Sequence, residues 1–136
     1  MSLRTKAREY AMQMLFQLEM SPQDSKKLEA NFWKSAKASD TTREFANALF
    51  EGASKEVATA DEDIVKYAVD WKLERIAAID RAILRLGIYE LRHGETPEKV
   101  VINESVELAK KFSSEEASGF VNGILDTVRK SLIKTE

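Results

Sequence analysis

The chain contains no cysteine and a single histidine in 136 residues. Without thiols there is no disulfide framework, no thiolate metal site and no cysteine nucleophile. His93 stands beside Gly94 with no second ligand or nucleophile near it in the sequence, so it carries no catalytic constellation. No apolar run approaches the ~20 residues of a membrane span, and the opening MSLRTKAREYAMQ lacks a signal-peptide core. These absences point to a cytoplasmic protein without membrane contact. The formal net charge is only −2, which excludes a protein that coats nucleic acid indiscriminately. Any nucleic-acid site must be a local patch or be completed by a partner.

Proline and glycine are scarce too, at two and five residues, and what fills the space between them has helical periodicity. A first helix is predicted over 3–19, with Leu3, Ala7, Tyr10, Ala11, Met14 and Leu18 on one stripe. Ser21-Pro22 should cap and open a second, running to about Ala38 and burying Leu28, Phe32 and Trp33. Thr41 to Glu44 reads as a capping box for a third helix, continued by Ile64, Tyr67, Ala68 and Trp71. Residues 73–92 should form the central helix, because Ile76, Ile79, Ile83, Leu84, Leu86, Ile88 and Leu91 cover most of its circumference. Gly94 suits the left-handed residue that ends it. Thr96-Pro97 opens the next helix and Ser113 to Glu116 caps the last. The expectation is an all-α bundle of six to seven helices, one domain over 1–136.

The last helix raises a question. In SSEEASGFVNGILDTVRK, residues 113–130, Gly119 and Gly123 each cost about 1 kcal/mol relative to alanine. On a helical wheel they lie roughly 160–200° from the stripe of Ala117, Val121, Ile124, Leu125 and Val128, on the face shared or bordered by Glu116, Phe120, Thr127 and Lys130. Either a neighbouring helix approaches there, or backbone and Phe120 form a surface for a nucleotide. Arg4, Lys6 and Arg8 precede any acid and read as a small cationic patch; alone, such a patch is more often simply a solvated face.

Other groups read as structural. Glu90 falls on the apolar side of the central helix and needs a buried partner, most simply an arginine. Asp61, Glu62 and Asp63 are splayed by helical geometry rather than gathered for a metal. Met12, Met14 and Met20 are assigned to packing.

Four segments, RTKAREYAMQMLFQ, IDRAILRLGIYEL, PEKVVINESVELAKKF and FVNGILD, in this order and spacing, resemble the NusB family of bacterial transcription antitermination factors. The resemblance covers essentially the whole chain. It implies two small helical bundles packed together, no enzymatic activity and no cofactor. It also implies binding of boxA RNA together with the ribosomal protein NusE, within the RNA polymerase antitermination complex that acts notably on ribosomal RNA operons. A homodimer through the surfaces that NusE would cover is also compatible with it.

Carried over by position, the RNA-binding residues are Arg4, Lys6 and Arg8 with Glu116, Gly119, Phe120, Asn122 and Gly123. The partner-binding residues are Phe16, Glu74 and Asp80. The chain departs from the family in its thinner basic run and in Gly119, where lysine is common. Two other readings stay open: a domain that targets an RNA-modifying enzyme, and a protein-interaction module without sequence-specific RNA binding.

Overall fold

In the computed structural model, which describes residues 2–134, seven α-helices and one 3-10 turn are present and no strand occurs among the described residues. The helices are α1 (Leu3–Met20), α2 (Ser25–Ser35), α3 (Asp40–Lys55), α4 (Val57–Tyr67), α5 (Ala78–His93), α6 (Glu98–Phe112) and α7 (Glu115–Lys134). Helices α1–α3 pack as one bundle and α4–α7 as a second, joined where α1 and α3 lie against α5. One continuous core runs through both, from Ala7, Ala11 and Met14 through Ile83, Leu84 and Ile88 to Val121, Leu125 and Val128. Helix α5 is central, as its all-round apolar pattern requires.

The caps differ from expectation in ways that local chemistry explains. Asp24, not Ser21, caps α2: its carboxylate accepts from the Lys27 amide at 3.1 Å, so Ser21 and Pro22 remain in the connecting turn. Ser39 rather than Thr41 caps α3, accepting from the Thr42 amide at 3.2 Å. Ser114 rather than Ser113 caps α7, accepting from the Ala117 amide at 3.0 Å. In each case the side chain that satisfies an otherwise unpaired first-turn amide fixes the start. Gly94 ends α5 at φ 66°, in the left-handed region where a side chain is strained. Met20, expected in the core, is 52% exposed at the end of α1, whereas Met12 and Met14 are fully buried.

The largest difference is the break between α4 and α5. Ala68 ends α4, residues 73–75 form the 3-10 turn, and α5 begins only at Ala78. Arg81 holds this segment: its Nη1 donates to the Leu73 carbonyl at 3.1 Å and also to that of Ile76. Its Nε donates to Glu19 of α1 at 3.1 Å. Arg85 joins Glu19 and also forks onto Asp61 at 2.8 and 2.9 Å. The Arg81 hydrogen bond, with Arg85, holds the Glu19 carboxyl below the usual carboxylate range against the effect of burial. Two of the splayed acids of α4 are ion-pair partners, Asp61 of Arg85 and Asp63 of Arg92.

Candidate nucleic-acid interface

The glycine question is answered by the space around the two residues. A Cβ placed on Gly119 or Gly123 would meet nothing within 4 Å. No helix packs there; both lie on an open face. The glycines that admit a close neighbour are elsewhere: a Cβ on Gly52 would sit 2.1 Å from the Tyr89 hydroxyl, and one on Gly87 would sit 3.0 Å from Leu125 and Ser105. Along the same side of α7, Glu116 and Asn122 are exposed and Phe120 is half-buried. Thr127 returns its hydroxyl to the Gly123 carbonyl at 2.9 Å, and Lys130 pairs with Asp126 at 3.1 Å.

At its N-terminal end this face opens into a groove of about 310 Å³ between the start of α7 and the segment that precedes α5. Trp71, 54% exposed, meets Phe120 edge-on with ring centroids 6.4 Å apart. Arg75, Asp80, Ser114 and Glu116 also line it. Arg75 makes no ion pair among the described residues. Asp80 is only 8% exposed, and its Oδ1 is buried without a hydrogen-bond partner. Asp80, carried over as a partner-binding residue, sits low in the groove wall, in the first turn of α5. Glu74 is exposed next to Arg75 in the 3-10 turn, and Phe16 is half-buried against the core rather than standing free.

The cationic start of α1 is divided by the fold. Arg4 is exposed, its guanidinium 4.9 Å from the Phe45 ring centroid. Lys6 is half-exposed, 5.0 Å from the Tyr10 ring and paired with Glu9 at 2.9 Å. Arg8 does not join them. Its side chain is 4% exposed and forks onto Glu90, Nε to Oε2 and Nη2 to Oε1 both at 2.9 Å, with a further contact to Glu104 at 3.3 Å. Burial by itself would lower its pKa, but the hydrogen bond and charge of Glu90, reinforced by Glu104, raise it. The arginine that Glu90 required is thus the one the sequence had assigned to RNA. Glu9, which also lies at the start of α1, bridges Lys6 and Lys111, the latter at 2.7 Å.

Trp71 and Arg75 were missed by the sequence reading. No local signal separates them from a helix, because Ile64, Tyr67, Ala68 and Trp71 keep helical spacing straight through the break.

A family model, that of the NusB family, matches residues 5–130. The chain belongs to the NusB family. Among relatives, the transcription antitermination protein NusB of Koribacter versatilis is 45% identical over 131 residues, covering 95% of this chain and 90% of the relative. The NusB of Sorangium cellulosum is 40% identical over 133 residues, covering 97% and 95%. Among solved structures, the chain is similar to NusB in a complex of antitermination factors NusB and NusE with double-stranded RNA. That likeness has a TM-score of 0.84 at 28% identity and covers 96% of this chain and 98% of the other. NusB of T. maritima gives a TM-score of 0.82 at 32% identity, over 93% of this chain and 90% of the other. This NusB-family chain thus carries the fold of its relatives nearly end to end. Among its described residues no helix is long and apolar enough to cross a membrane.

Proposed function

We propose that this chain is a cytoplasmic, non-enzymatic transcription antitermination factor. It binds boxA RNA together with the ribosomal protein NusE, within the RNA polymerase antitermination complex, and promotes read-through notably in ribosomal RNA operons. The observation that carries this reading is the near-complete likeness, in sequence and in fold, to antitermination proteins, one of them seen with NusE and RNA. The exposed face of Glu116, Gly119, Asn122 and Gly123 with half-buried Phe120 supports it chemically. Bare backbone and an aromatic ring suit single-stranded RNA, whose bases can splay out and stack. Arg4 and Lys6 supply cations for phosphates; Glu74, Phe16 and Asp80 belong to the partner side.

A second reading has one specific observation in its favour. Arg8 is taken out of the cationic patch by Glu90, which leaves the RNA side with few positive charges. On that reading the chain binds NusE but has no sequence-specific RNA affinity of its own.

Titration of labelled boxA RNA and a scrambled control, with and without NusE, at two salt concentrations decides between them. Salt-sensitive binding that prefers boxA and tightens with NusE is expected. Equal affinity for both RNAs with NusE binding intact would favour the second reading, and no RNA binding even with NusE would remove the RNA role.

A further inference from the structure

The residues assigned to the partner side sit on separate elements: Phe16 on α1, Glu74 in the 3-10 turn and Asp80 in the first turn of α5. The turn has the least to hold it. Within residues 68–77 the backbone bonds run from Trp71 to the Ala68 carbonyl, from Arg75 to that of Lys72 and from Ile76 to that of Leu73. Such short turns are marginal alone, because ordering their residues costs more than a few local bonds return. Val69 is 86% exposed, and Trp71, Lys72, Glu74 and Arg75 are exposed as well. Leu73 and Ile76 turn inward onto the core.

Arg81 adds the long-range grip. Its Nη1 donates to the carbonyls of Leu73 and Ile76, the residues on either side of Glu74 and Arg75. Its Nε and Nη2 donate to Glu19 of α1. All the guanidinium nitrogens are thus committed, and the fixed plane of the group sets the turn and α1 in one relative position. Arg85, forked onto Asp61 of α4, also donates to Glu19, so the carboxylate is fixed from a second side. Glu19 lies one helical turn beyond Phe16 on α1, and Arg81 directly follows Asp80. The core already seats α1 against α5; what the Glu19–Arg81 pair adds is its hold on the turn.

We infer that Glu19 and Arg81 are positioning residues for the protein partner. Arg81, aimed by Glu19, holds the turn that carries Glu74 in register with Phe16 and Asp80, so that NusE meets a surface already assembled. The inference rests on the partner assignment above and deepens it, adding two residues that act through that surface without touching NusE.

The test compares Glu19→Gln and Arg81→Lys with the unsubstituted full chain in two measurements: NusE affinity, and amide hydrogen exchange of the free chain. With the turn in its binding position only about one-tenth of the time, Glu19→Gln should lower NusE affinity about tenfold. Exchange should quicken at the Arg75 and Ile76 amides while α6 and α7 keep their protection. Arg81→Lys keeps the charge but not the planar fork, so its loss should be intermediate. It also gives the answer if Glu19→Gln does not fold. Weaker NusE binding with unchanged exchange in the turn would overturn the inference, since Glu19 would then touch NusE directly. Faster exchange in the turn with unchanged NusE affinity would overturn it too. So would exchange raised uniformly along α1 and α5, which would make the pair a general stabiliser. An unsubstituted chain that fails to bind NusE would overturn the partner assignment and this inference with it.

Discussion

Arg8 and Glu90, 82 positions apart in sequence, form a forked ion pair in the interior, with both parallel N–O distances at 2.9 Å. The pair ties α1 to α5 and, through Glu104, to α6. It also takes out of solvent an arginine that the sequence places in a cationic run.

Truncating one partner of such a pair leaves the other charge buried and alone. Arg8→Ala should therefore destabilise the fold by about 3–5 kcal/mol, read as a fall in denaturant midpoint. Arg4→Ala should change stability by less than about 0.5 kcal/mol and should instead weaken RNA binding, reducing its salt slope by about one. Comparable loss of stability in both variants would show that Arg8 is not tied in the way the geometry indicates.

The two open glycines of α7 predict a gain in stability. Gly119→Ala or Gly123→Ala should raise the unfolding free energy by roughly 0.5–1 kcal/mol, since nothing obstructs the added methyl. Gly52→Ala should do the reverse, because the Tyr89 ring lies where the methyl must go. Thermal melts of the three variants provide the comparison. RNA titration of the two α7 variants adds a second reading, as weakened binding there would mean that backbone is approached closely by ligand.

Phe120 is half-buried and meets Trp71. Phe120→Ala should lower RNA affinity by about 1–3 kcal/mol, the usual cost of losing one base-stacking ring, while circular dichroism shows helicity retained. Collapse of the fold with unchanged RNA affinity of the remaining folded fraction would mark the ring as a packing residue alone.

A pH dependence follows from the N-terminal bundle. Burial, with the neighbouring Glu51 carboxyl, raises Glu29 from 4.5 to about 7, and the Glu51 group moves the other way. Between those two values the native state holds a proton that the unfolded chain has released, so stability should fall as pH rises from about 4.5 to about 7 and level off above. Glu29→Gln should flatten that decline and be the more stable protein at pH 8 by on the order of 1–2 kcal/mol. The Glu51 contribution is separate: it is present above the unfolded pKa and lost on acidification below it. Denaturant midpoints from pH 4 to 8 would resolve the two, and a profile identical for both proteins would rule out a proton on Glu29.

By itself the sequence determined the helical class, the central position of α5, the left-handed end at Gly94 and the placement of two glycines opposite the apolar stripe of α7, whose openness only the structure decided. Each depends on patterns local to a turn or two: the all-round apolar cover from Ile76 to Leu91, a glycine just past a helix end, and Gly119 and Gly123 opposite a continuous stripe. Even the need of Glu90 for an arginine was legible, because a carboxylate on an apolar face must be paired. Which arginine was not legible, since a guanidinium reaches any carboxylate that the fold brings near, and sequence spacing carries no information about that. The same limit hid the groove. Trp71 keeps helical spacing with Ile64, Tyr67 and Ala68, and it is Arg81, reaching from α5 to the Leu73 and Ile76 carbonyls and to Glu19 of α1, together with local backbone bonds, that holds the chain in a turn there instead. Periodicity fixes which face of a helix is buried; long-range ion pairs decided where α4 ends, which cations stay in water, and that Trp71, Arg75 and Asp80 line one groove.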